Sequence, residues 1–282
     1  MNQRKSLKEL NLLDKFLFDE AMDDPENVKT MLDIILSQNT NLKHPPQTEK
    51  EQRTATDNRQ IRLDVYAIDE DDVIYEVEAQ KENTHNLPKR SRLYQGIIDS
   101  KLLPPGVVDF NLLNEVLIVL ITPFDLFGYG LYRYTFQMKC EEVSELKLDD
   151  GATRIFLNTR GKHPELVSPE LIELLKYMEH STDEVSEACE SKRIQEMHRR
   201  VCQIRASEKT EVKYMQSWEE RIMIKQEGIA EGRIEGEKAL LKSLIEKKMV
   251  KKYSAEQISA MLEVDVSEVE NIMKEIQNEK YL

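Results

Sequence analysis

Residues 61–67 and 73–79 place an apolar side chain at every odd position, and this pair of segments restricts the chain more than any other feature. Ile61, Leu63, Val65 and Ala67 fill the odd positions of the first, and Val73, Tyr75, Val77 and Ala79 those of the second. Period-two alternation is the signature of half-buried strands. Residues 69–72, all acidic, form the turn between them. If both apolar rows face one core, paired residues must have numbers of equal parity. The connection is then odd in length or bulged, and a two-residue hairpin is excluded. In that register Asp64, Glu78 and Gln80 share the opposite face. Two carboxylates converging there repel, and a hard divalent cation with oxygen ligands would hold both ionised. Mg²⁺ suits such a set, with Mn²⁺ as its substitute, and the Gln80 amide is suited to positioning an attacking water or supporting a neighbouring ligand. A solvated strand face with ordinary surface carboxylates fits the same spacing.

Around this pair the chain reads as an α/β protein. Apolar residues at helical spacing mark helices over residues 12–21 and 28–36, divided by Asp23, Asp24 and Pro25. Residues 39–58, polar and carrying Pro45 and Pro46, read as a loop. A helix over 89–103 is stopped by Pro104, Pro105 and Gly106. Residues 116–121 form a short apolar run that suits a strand buried on both faces. Segments 131–137 and 154–158 read as further strands, and helices start near Ser168 and Val185. Everything after about Asp183 is helical, charged and free of proline, which puts a domain boundary there: residues 1–183, then a helical extension, 184–282.

That extension repeats Glu-Gly every four residues, at Gly228, Gly232 and Gly236. The three glycines fall on one helical stripe, as a hinge or as a place where a partner helix comes close. Ser254 with Gln257 and Ser267 with Glu270 have capping-box spacing ahead of two short terminal helices. The second carries Glu268, Glu270, Glu275 and Glu279 against Lys274 alone, which favours packing or self-association over reading DNA.

Composition narrows the classes further. Of 282 residues 40% are hydrophobic, enough to build a core, and 53 acidic against 40 basic side chains give a net charge of −13. This disfavours non-specific attraction to nucleic acid without forbidding a local basic cleft. The longest apolar run is far short of the ~20 residues that span a bilayer. The first ten residues lack the apolar stretch of a signal peptide, so a cytoplasmic protein is expected. Cys140, Cys189 and Cys202 are too few and scattered for a disulfide framework or a zinc knuckle. The five histidines show no HExxH pattern or close pairing, which argues against a zinc hydrolase, and no phosphate-binding glycine motif is present.

The pattern Arg62-Leu63-Asp64-Val65, an acidic turn, and Val77-Glu78-Ala79-Gln80 resembles the Asp…Glu-x-Gln variant of the PD-(D/E)XK nuclease core. More narrowly, it resembles the recombination-promoting nuclease, or transposase, family of bacteria. The likeness runs on through residues 90–95, 98–100, 116–121, 156–159, 174–178, the Glu-Gly repeats and the terminal helices, nearly the whole chain. What it implies is a mixed β-sheet flanked by helices and a Mg²⁺-dependent endonuclease acting on DNA. Asp64 and Glu78 match the metal-binding acids, and Gln80 stands where many relatives have lysine. Asp14, in Asp14-Lys15-Phe16, resembles an acid on the first helix that completes the metal set. Arg90, Arg92 and Tyr94 follow the hairpin on a helix, and Arg90 and Tyr94 share a face suited to phosphate contact. The pattern departs from the family in having no proline before Asp64 and no cation at residue 80. A non-catalytic DNA-binding or oligomeric scaffold that keeps the nuclease fold is therefore the alternative function.

Overall fold

The structure is a computed structural model, and it describes residues 5–52 and 61–279. It divides into two compact units, one ending at Tyr214 and the other starting at Met215. The division does not fall at Asp183, because helices after that point carry Ile194, Met197 and Val201 into the core of the first unit.

The first unit is built on a six-stranded mixed sheet: β1 (Gln47–Gln52), β2 (Ile61–Ile68), β3 (Ile74–Ala79), β4 (Val116–Thr122), β5 (Arg133–Phe136) and β6 (Ala152–Asn158), in the order β1-β2-β3-β4-β6-β5. β3, β4 and β6 run parallel, whereas β1, β2 and β5 pair antiparallel with their neighbours. The hairpin follows the parity argument: Val65 pairs with Val77 and Ala67 with Tyr75 across a connection at residues 69–73. Asp69 closes that connection, accepting from the amides of Asp71 and Val73 at 3.0 and 2.9 Å and from the Tyr75 hydroxyl at 2.7 Å.

Helices cover both faces. α1 (Lys15–Met22), α2 (Pro25–Leu36), α4 (Pro169–Glu179) and α6 (Lys192–Ala206) pack on one side against Val65, Ala67, Tyr75, Val77, Val119 and Leu157. α3 (Leu87–Asp99) packs on the other, where Tyr66, Ile74, Ile118, Leu120 and Phe156 meet Tyr94, Ile97 and Ile98. α5 (Asp183–Glu187) links α4 to α6. With both faces covered, β4 is apolar on both sides, as its run of apolar residues led one to expect.

Two expectations about the sheet are corrected. The stretch 39–58 is not all loop, since Gln47–Gln52 forms the edge strand β1. Its sequence, Gln-Thr-Glu-Lys-Glu-Gln, has no apolar alternation because an edge strand of this kind is largely exposed; residues 53–58 lie outside the described part. Nor does the odd row of β2 face one core. Leu63 joins the α3 side together with Tyr66, three residues on, whereas Val65 joins the other. Alternation slips at Asp64, and opposite the slip Glu49 holds a left-handed φ of 49° between the pairs Thr48↔Val65 and Lys50↔Leu63.

The second unit holds most of α7 (Glu208–Val250), then α8 (Ala255–Leu262) and α9 (Val266–Glu279). Ile245, Ile258, Val269 and Ile276 form its small core. The Ser254–Gln257 capping box is present, with bonds of 3.3 and 2.9 Å. The expected box at Ser267 is replaced: α9 starts earlier, and Asp265 caps it by accepting from the Ser267 amide at 3.0 Å. A carboxylate at that position satisfies a free amide and favours the positive end of the helix dipole. Among the described residues no membrane-length apolar helix occurs.

Candidate metal centre

The centre forms where β2 and β3 meet the start of α1 and the first turn of α3. Asp64 and Glu78 lie one step beyond the Val65↔Val77 pair, and both are buried. Each is met by one cation. Lys15, at the head of α1, donates from Nζ to Asp64 Oδ1 at 2.5 Å and bridges to Asp19 at 3.1 Å. Arg90, on α3, pairs with Glu78 and also donates to Gln80 Oε1 at 2.7 Å. Gln80 spends its other amide end on the Glu82 carbonyl at 2.9 Å, so both ends of the side chain are engaged.

Burial is the leading influence on these acids, because moving a carboxylate out of water disfavours its charge. It pushes Asp64 up against the pull of Lys15, and it pushes Glu78 up to about 7 against Arg90, with Asp64 adding repulsion. Asp19 is driven to about 8 by burial, opposed by Lys15 and reinforced by Asp64. For Lys15 burial works against the charge, yet Asp64 and Asp19 hold its ammonium above the ordinary value.

The most telling member is Glu76. It is fully buried, both carboxylate oxygens lack a hydrogen-bond partner, and one oxygen of Glu78 is equally unpaired. Burial first, then the charges of Glu78 and Asp64, raises the Glu76 carboxyl far above its usual range. Native interiors seldom leave such groups unsatisfied. Among the described residues Asp19, Glu49, Asp64, Glu76 and Glu78 face Lys15 and Arg90, with Arg62 reaching Glu49 at 2.9 Å, so negative charge stays in excess, all of it on oxygen donors. That chemistry fits a hard divalent cation such as Mg²⁺ or Mn²⁺.

Other expected residues sit at varied distances from this centre. Asp14 holds the N-cap position of α1 without bonding a helix amide: one carboxylate oxygen accepts from the preceding Asn11 amide at 3.0 Å, and the other takes the Lys81 ammonium at 2.6 Å. Tyr94 is buried in the α3-side core, 5.8 Å from the Arg90 guanidinium, and Arg90 itself is turned inward onto Glu78 and Gln80. Arg92 alone of the three is exposed.

Sequence reasoning missed Glu76, Asp19 and Lys15. Glu76 carried a usable signal, since it alternates with Glu78 on β3 and so shares its face. Lys15 and Asp19 are four apart on α1, a spacing that joins them on one helix face. Nothing local in the sequence tied that face to the hairpin.

No family model, curated protein or solved structure matches this chain.

Proposed function

We propose that this protein is a Mg²⁺-dependent DNA endonuclease with a PD-(D/E)XK-type core, acting in recombination or in a mobile element. The observation that carries the reading is the surplus of buried carboxylates around Asp64 and Glu78, with Glu76 unpartnered behind them. A surplus of this kind costs stability in the free protein, and a bound divalent cation offsets it. Asp64 and Glu78 would hold the ion, with Asp14 or Asp19 completing the set. Bound there, Mg²⁺ supplies an activated water and neutralises charge on a scissile phosphate. Lys15 brings to Asp64 the cationic charge that Gln80 lacks, and its ammonium is suited to stabilising a phosphate or a water beside the carboxylates. Arg90 holds Glu78 and Gln80 in place, and exposed Arg92 lies on the same helix for contact with the DNA backbone.

Incubation with supercoiled plasmid and Mg²⁺ or Mn²⁺ tests the reading. Nicking by the wild type that disappears in both Asp64→Ala and Glu78→Ala supports it. Salt-sensitive DNA binding without cleavage points to the scaffold role.

The second unit is read as a self-association element. Met223, Ile224, Ile229, Ile234 and Leu240 are exposed along α7, and a methyl group added at Gly228, Gly232 or Gly236 meets nothing within 4 Å. Replacing all three glycines by alanine is expected to strengthen the helix by about 1 kcal/mol per position. If the glycine stripe carries the contact between copies, the same change lowers the sedimenting mass. Circular dichroism on heating and sedimentation read the two effects separately.

A further inference from the structure

We infer that Asp183, His198 and Cys202 form a second metal site, one that takes Zn²⁺ rather than Mg²⁺. The three belong to α5 and α6, elements that contribute nothing to the carboxylate centre. Asp183 is the first residue of α5, and His198 and Cys202 are four apart on α6, so both project from one helix face. His198 Nε2 lies 2.8 Å from Asp183 Oδ1 and 3.4 Å from Cys202 Sγ, and the sulfur and carboxylate oxygen are 3.9 Å apart. Donors on a tetrahedral zinc, at its usual bond lengths, are separated by about 3.3–3.6 Å. Small side-chain shifts therefore suffice to bring these atoms onto one ion.

The site has the support that zinc histidines require. His198 is buried, and its Nδ1 sits 3.0 Å from the Tyr177 hydroxyl, itself buried. A proton on Nδ1, donated to that hydroxyl, leaves Nε2 free to bind metal and fixes the ring orientation. One nitrogen, one sulfur and one carboxylate oxygen form a borderline-soft set that favours zinc over magnesium. As thiolate and carboxylate, Cys202 and Asp183 balance the charge of a divalent ion. Asp183 is exposed, so water can reach a fourth position. The ion would pin α5 to α6 with one coordination position left to solvent.

The test uses the full chain, zinc competition against a chromophoric chelator, and cobalt substitution. The wild type is expected to retain one equivalent of zinc, and its cobalt form to show the near-ultraviolet band of a thiolate-to-cobalt charge transfer. Cys202→Ser should remove the band, and Asp183→Asn should weaken zinc retention at least about tenfold. Both substitutions fall on residues that are not fully buried, so they leave the core intact. Zinc held by Asp64 and Glu78 gives no thiolate band and is unaffected by either change. Failure of the wild type to hold zinc against the chelator overturns the inference. So does a cobalt band that is absent, or one that survives Cys202→Ser.

Discussion

Lys15→Ala is expected to reduce metal-dependent plasmid nicking by about 10²-fold or more, the scale on which removing one positioned charge or proton donor acts in a water-poor site. Among the described residues Lys15 is the sole cation bonded to Asp64, and it also holds Asp19. Its loss leaves the acid cluster more negative, so affinity for a divalent cation should hold or increase. Cleavage falling while Mn²⁺ binding stays intact would therefore assign Lys15 to the chemistry and not to assembly of the site. Lys15→Arg keeps the charge and should recover part of the rate. Nicking at the wild-type rate in Lys15→Ala would reduce the residue to a surface ion pair.

The second large effect is on pH dependence. Glu78 rises from an ordinary 4.5 to about 7 and Asp19 from 3.8 to about 8, chiefly through burial. A carboxyl whose pKa is raised by folding binds protons more tightly folded than unfolded. Its contribution is fully favourable below the unfolded value and is lost as pH climbs through the folded one. The metal-free protein should thus lose thermal stability between pH 5 and pH 8. A cation entering the site must displace those protons, so its affinity should tighten about tenfold per pH unit for each proton released. Melting curves with and without Mg²⁺ at pH 6 and pH 8 check this. The stabilisation by Mg²⁺ should be small at the lower pH and several times larger at the higher. An equal shift at both would mean that the acids bind no ion.

Much of the scaffold was legible because burial writes periodicity into sequence. Apolar residues at every second position located β2 and β3 and gave the parity of their pairing, and an uninterrupted apolar run located β4. β1 escaped because its polar side chains carry no such imprint, its place in the sheet coming from pairing with β2 and not from burying a face. The slip at Asp64 escaped for a related reason, since Leu63 is apolar in either register and only the cores on both faces show which side it takes.

The centre was legible in part. Asp64, Glu78 and Gln80 stand within one hairpin, where local geometry links them. Lys15 and Asp19 reach it from α1, across a separation that no spacing rule bridges. Arg90 was read as a phosphate contact because helix periodicity places it beside Tyr94, but the neighbouring carboxylate of Glu78 draws the guanidinium inward. His198 and Cys202 had the spacing of a ligand pair on α6, yet Asp183, which gives the pair its third donor, comes from the preceding helix.

Calorimetric titration with Mg²⁺ at pH 8, on the Cys202→Ser protein so that the α5–α6 cluster makes no contribution, tests the central claim most directly. Saturable binding that is lost in Asp64→Ala and in Glu78→Ala is the expected result. Absence of binding, or binding that persists unchanged in both variants, would contradict a metal centre at the β2–β3 hairpin.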